Sequence, residues 1–310
     1  MEQVAPGSFE TLTEHDLVKS FMSDFSVETT PGAADKIADF RQILRPGTTV
    51  YITLLPGSDY RETVGVAKRL RDEGFEPTPH FAARSIASPL ELEDYLARLK
   101  GEADVEHVLV IAGAPATAIG PYSDSMQLLE TGLFDKHGIK QIGVAGHPEG
   151  SPDMSDEAIR QALEWKNGFA ERSDADLHII TQFCFEAAPI IAWDRQLRAA
   201  GNSLPIHIGI PGIAKVKTLL NYAMTCGVGN SIQFIKKQAG NVSRLLRTQA
   251  PDKLIRELAT YSAENPHCGI NRVHVYPLGG LKKSAQWSYA VSDGQFSFKQ
   301  DGFDVNIPLD

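Results

Sequence analysis

The 310-residue sequence predicts a (β/α)8 TIM barrel with extra helices after the seventh strand. Short apolar runs, several rich in β-branched residues, alternate with segments of helical periodicity, the arrangement that builds parallel sheets with helices outside. The runs number eight, which is what a closed barrel requires. No Pro/Ser-rich linker, internal repeat or low-complexity run divides the chain. One barrel domain over 1–310 is therefore expected, with 1–20 as an N-terminal extension.

The expected strands are 25–28 (FSVE), 49–55 (TVYITLL), 77–82 (PTPHFA), 107–112 (HVLVIA), 141–145 (QIGVA), 177–183 (LHIITQF), 205–210 (PIHIGI) and 272–278 (RVHVYPL). Between the second and third, 59–73 reads as a helix because Val64, Ala67 and Leu70 fall on one face. Between the third and fourth, 88–100 opens with Ser88, Pro89 and Glu91, the capping-box pattern of a helix start. After the seventh strand a helical tract over 215–263, broken near 227–229 and at Pro251, is longer than one crossover needs. It reads as an elaboration of the barrel.

Composition narrows the function classes. With 42% hydrophobic and 22% charged residues there is ample apolar material for a core, so a disordered chain is excluded. The net charge of -9 is opposite in sign to the footprint of a nucleic-acid binder, and no apolar stretch is long enough to span a bilayer. The start, MEQVAPGSFETLTEHD, lacks the basic and apolar regions of a signal peptide, so a cytoplasmic location is expected. The odd number of cysteines, three, predicts reduced thiols, two of them in the core.

In a barrel of this type the chemistry sits at the carboxyl ends of the strands, and this sequence gathers its polar residues there. The first strand ends in Glu28, the second carries Thr53, the third His80, the fourth runs into Gly113-Ala114-Pro115, the fifth into Gly146-His147-Pro148-Glu149, and the sixth into Thr181-Gln182. A strand-closing Glu also serves as a cap or ion-pair partner; buried, it becomes an acid at neutral pH. His178, His207 and His274 lie singly on separate strands without metal-ligand spacing, and no metal is expected. Neither a G-x-G-x-x-G nor a P-loop motif is present, so a dinucleotide cofactor must lie across the barrel top in a non-Rossmann manner.

The order of Phe25-Ser-Val-Glu28, Thr53, Pro79-His80, Ala112-Gly113, Tyr122-Ser-Asp124, Gly146-His-Pro-Glu149-Gly-Ser-Pro152, Trp165-Lys166 and the strand Ile179-Ile-Thr-Gln-Phe-Cys-Phe-Glu186 resembles the methylenetetrahydrofolate reductase family. The similarity extends over about 20–290. The resemblance implies a flavin-dependent barrel that reduces 5,10-methylenetetrahydrofolate to 5-methyltetrahydrofolate by a ping-pong scheme, with FAD as cofactor and NAD(P)H as reductant. It implies Glu28 as the acid assisting protonation of the folate, Gln182 as a pterin contact, and Thr53, His80, Gly113, Ala114, Tyr122, Ser123, His147, Ser151 and Lys166 as positions that hold FAD. Lys166 is the expected partner of its pyrophosphate. Family members commonly associate, which implies a homo-oligomer; little chain follows the eighth strand, so the regulatory domain of longer members is not expected.

The chain departs from the family at the fourth strand. Where an Arg-Gly-Asp is usual it reads Ala112-Gly113-Ala114, removing a negative charge from beside the flavin. The family's arginine for the folate tail falls near Gly280, and Lys282 or Lys283 is the expected substitute. These departures carry the alternative reading: a folate-binding barrel acting in methyl transfer or demethylation, or a reductase without tightly held flavin. A non-catalytic ligand sensor is the third.

Overall fold

A computed structural model describes residues 12–226 and 245–309. Eight parallel strands close into a barrel: β1 (Phe25–Thr29), β2 (Thr49–Ile52), β3 (Glu76–Ala82), β4 (His107–Ile111), β5 (Gln141–Gly146), β6 (Asp176–Thr181), β7 (Ile206–Pro211) and β8 (Ile270–Tyr276). Each strand pairs with its neighbours in sequence, and β1 closes the ring by pairing with both β2 and β8. All eight expected runs are strands, and the boundaries moved most at the carboxyl ends of β2, β6 and β8, where the chain leaves the sheet for the site-bearing loops.

The helices form where local chemistry allows. The helix α1 (Glu14–Phe21) precedes the barrel and starts from a reciprocal Thr13–Asp16 capping box, packing Val18 onto the barrel wall. After the short α2 (Pro31–Ala34), α3 (Tyr60–Asp72) is capped by Asp59 and buries Val64, Ala67 and Leu70 as the periodicity predicts. In α4 (Pro89–Ala103) the Ser88 hydroxyl caps Glu91 N, while the Glu91 carboxylate accepts from Ala87 N, one residue earlier than a standard box. Then follow α5 (Ser125–Leu129), α6 (Leu133–Lys136), α7 (Asp156–Ala170) and α8 (Ala187–Ala199).

Between β7 and β8 the chain carries α9 (Val216–Thr225) and α10 (Asp252–Glu264), so the expected extra helical material is there. Pro251 is the N-cap of α10, the predicted break; the other predicted break, at 227–229, lies outside the described residues. After β8 come α11 (Leu281–Ser292) and an antiparallel hairpin, β9 (Phe296–Lys299) with β10 (Gly302–Val305).

Alternate strand residues face outward against the helices, such as Val27, Val50 and Val275, or inward. Inward positions in such barrels are usually branched aliphatics. Here Tyr51, Leu109 and Ile180 pack together, but they share the interior with Ser26, His178, His207 and His274. Tyr51 Oη lies 3.2 Å from His178 Nε2 across the barrel, and the His178 and His207 rings stack at 4.1 Å. Burial pushes both imidazoles toward the neutral form, His178 to about 3 and His207 to about 2. Of the cysteines, all free, Cys184 is buried while Cys226 and Cys268 are half-buried, one fewer in the core than expected.

Candidate active site

Glu28 sits at the carboxyl end of β1, its side chain 18% exposed toward the barrel mouth. Because β1 pairs with β8 in the register Ser26 to His274, a fully buried imidazole comes to lie just beneath it. His274 Nδ1 is 2.9 Å from Ser26 Oγ, and Nε2 is 3.7 Å from Glu28 Oε2. The edges of Tyr51 and Tyr276 hold the ring at centroid distances of 4.6 and 4.7 Å. A carboxyl group is thereby mounted on an imidazole whose far nitrogen is fixed by a hydroxyl.

Beside Glu28, on β2 and β3, the site presents polar atoms that are buried and unpaired. Thr53 Oγ1, at the end of β2, and both ring nitrogens of His80 have no hydrogen-bond partner among the described residues. Burial lowers the His80 pKa to about 4 against the pull of Glu28. Buried polar groups are seldom left unmade in a folded chain, and these atoms are among the exceptions here.

The opposite side of the mouth carries positive charge. Lys166, on α7, is 5% exposed and donates to Ala145 O at 3.2 Å, its one hydrogen bond among the described residues for three donors. Burial drops its pKa to about 8, with Asp124 pulling the other way. His147, after β5, is pushed to about 4 by burial and then by Lys166. Between these two sides runs the loop after β4. Gly113 turns it with φ of 91°, a conformation that favours glycine, and Tyr122 is buried near its end.

Comparison with known proteins decides what this barrel is. The family description "Methylenetetrahydrofolate reductase" matches residues 41–282. The chain belongs to the methylenetetrahydrofolate reductase family. It is 32% identical over 120 residues to methylenetetrahydrofolate reductase 2 of Saccharomyces cerevisiae, covering 38% of this chain and 18% of that one. It is 31% identical over 152 residues to methylenetetrahydrofolate reductase 1 of Schizosaccharomyces pombe, covering 47% and 23%. The matched stretches thus span less than a quarter of either relative. Among solved structures, an uncharacterized protein from Clostridium thermocellum that binds two copies of 5-methyl-5,6,7,8-tetrahydrofolic acid superposes with a TM-score of 0.54 at 12% identity, covering 91% of this chain and 98% of that one. At that identity the likeness is one of fold.

Within this family member the expected site residues fall into groups. Glu28 and His80 share one wall with Thr53; Lys166 and His147 form the second; Gly113, Ala114, Tyr122 and Ser123 lie along the loop after β4, Ala114 exposed at the mouth. Ser151 makes a tight turn with Met154 and receives Asp153 N at 3.3 Å. Gln182 follows β6, with its side-chain oxygen accepting from Phe183 N at 3.0 Å. Lys282 is exposed in the first turn of α11.

Four site residues escape sequence reasoning: Ser26, Tyr51, His274 and Tyr276. Tyr276 Oη donates to Thr181 O at 2.9 Å and so braces the residue before Gln182. Its ring also lies over Gly209, where a Cβ would come within 2.8 Å of it. The available signal was parity: Ser26 lies two residues before Glu28, and His274 two before Tyr276, on one strand face each.

Proposed function

We propose that this chain reduces 5,10-methylenetetrahydrofolate to 5-methyltetrahydrofolate, with NAD(P)H as electron donor and FAD as carrier in a ping-pong sequence. The observation that carries the reading is Glu28 mounted on His274 at the mouth of a barrel of this family. The unpaired atoms of Thr53 and His80 and the buried ammonium of Lys166 fit a polar, anionic cofactor. Lys166 would meet its pyrophosphate, Thr53 and His80 its polar groups, and the backbone at Gly113, Ala114, Tyr122 and Ser123 its flank, with His147 and Ser151 beyond. FAD held by these residues would supply the hydride chemistry that links the nicotinamide to the folate.

The protein's own part is proton management. Glu28 donates its proton to the folate nitrogen that leaves the methylene carbon as the five-membered ring opens to an iminium ion. His274 positions Glu28: its Nδ1 shares a hydrogen bond with Ser26 Oγ that fixes the ring, and its Nε2 faces the Glu28 carboxyl group at 3.7 Å. Gln182, braced through Thr181, orients the pterin, and Lys282 meets the folate's carboxylate tail.

Ala112 and Ala114 favour a second reading, in which the barrel binds folate without tightly holding flavin and serves methyl transfer or demethylation. One absorption spectrum separates the two. Under the first reading the purified protein is yellow and NAD(P)H bleaches it anaerobically; a colourless protein that gains no bound absorbance from added FAD overturns it. We further propose that the enzyme is cytoplasmic and homo-oligomeric, and sedimentation of the purified chain tests the second point.

A further inference from the structure

The loop from Ala112 to Asp124 leaves β4 and stays outside helix and strand until α5 begins, so its backbone groups need partners elsewhere. A single residue supplies four of them. Arg84, just after β3, donates from its own N–H to Ala112 O at 2.9 Å and accepts from Ile119 N at 3.0 Å. Its guanidinium donates from Nε to Ser123 O at 2.9 Å and from Nη1 to Pro115 O at 3.1 Å. The fork of an arginine suits two carbonyls in different directions; a lysine offers only a point charge. Gly120 passes so close to the Ile86 and Ala87 carbonyls that a side chain there would collide with them, which fixes the loop at a third place. Arg84 forms no ion pair with a carboxylate among the described residues, and its guanidinium hydrogen bonds go to carbonyls of this loop.

We infer that Arg84 is a positioning residue for cofactor binding: it sets the shape of the loop that carries Gly113, Ala114, Tyr122 and Ser123, and adds positive charge beside it. The inference rests on the proposed flavin reading. It gives physical content to the replacement at the fourth strand, because Ala112 and Ala114 contribute no side-chain charge and the neighbouring Arg84 brings a guanidinium to the same loop from β3.

Equilibrium titration of the purified full-length apo-protein with FAD, by flavin fluorescence, tests this in wild type, Arg84→Lys and Arg84→Ala. The expected result is a dissociation constant raised about tenfold in Arg84→Ala and less in Arg84→Lys, the size of losing charged hydrogen bonds. Amide hydrogen exchange over 113–124 is expected to quicken in the same order, with the amides of β3 and β4 unchanged. An FAD constant within twofold of wild type in Arg84→Ala overturns the inference, as does unchanged exchange in that loop. If Arg84→Ala does not fold, Arg84→Gln carries the same two criteria. If wild type itself takes up no FAD, the flavin reading fails, and loop exchange alone then decides whether Arg84 positions the loop.

Discussion

The carboxylate of Glu28 and the imidazole of His274 face each other at 3.7 Å, although the two residues stand at opposite ends of the sequence. Glu28→Gln keeps the shape of the acid and removes its proton. It should leave reduction of FAD by NAD(P)H intact and lower folate reduction by about 10²- to 10⁴-fold, the usual worth of a general acid. Stopped-flow measurement of the two half-reactions checks this; equal loss in both removes the assignment. His274→Asn is expected to lower kcat for folate reduction by about tenfold, a smaller share of the same effect, and to shift its pH profile while leaving the FAD constant unchanged.

The proposed contact between Lys166 and the cofactor pyrophosphate predicts a pH-dependent cofactor constant. Its pKa of about 8 in the folded chain arises from burial, and a bound pyrophosphate would raise it by opposing charge. Binding therefore takes up a proton above pH 8. The FAD dissociation constant should be nearly flat below pH 8 and rise by up to about tenfold per pH unit above it. Lys166→Met should bind weakly at every pH and lose that rise. Isothermal titration in two buffers of different ionisation enthalpy would count the proton directly.

The barrel is legible in the sequence because its signals are local. The β-branched runs mark each strand, and Asp59, Ser88 and Pro251 mark helix starts within a residue. Glu28, Thr53 and His80 are legible for a related reason: a polar side chain ending an apolar strand stands out against its neighbours. The Ser26–His274 contact is not, since it depends on the register by which β1 closes against β8. His178 and His207 read as solitary on their strands, yet parity and closure stack them. Arg84 carries no periodic signal at all; its role appears only when four loop groups are found to need it.

The interior histidines predict acid lability. His80, His178 and His207 have pKa values lowered by burial to about 4, 3 and 2. Above pH about 6.5 these imidazoles are neutral folded or unfolded, and their full contribution to stability is present. Below it the unfolded chain binds protons that the folded chain refuses. Stability then falls with pH, each group contributing about 1.4 kcal/mol per unit until its folded pKa is reached. Urea unfolding between pH 7 and pH 5 should show the decline. His207→Gln should make it shallower by one group's share, and an unchanged slope would refute the assignment of that share to His207.

Asp194 offers a test of stability separated from chemistry. It is 1% exposed on α8 and accepts from Tyr261 Oη on α10 at 2.7 Å and from Gly269 N, just before β8, at 2.9 Å. Arg198 Nε lies 3.7 Å away. One carboxylate thus ties two helices and a strand start together at the amino-terminal face of the barrel, where such residues support the fold and not the reaction. Asp194→Ala leaves a buried hydroxyl, an amide and a guanidinium short of a partner, and should cost about 2 to 4 kcal/mol. Asp194→Asn keeps one acceptor and should cost less. Because Glu28 and Lys166 lie at the other end of the strands, both variants should retain the wild-type FAD constant and kcat at a temperature where they remain folded. A loss of turnover in Asp194→Asn without loss of stability, seen by pairing urea midpoints with kcat, would mean that the two faces of the barrel are coupled.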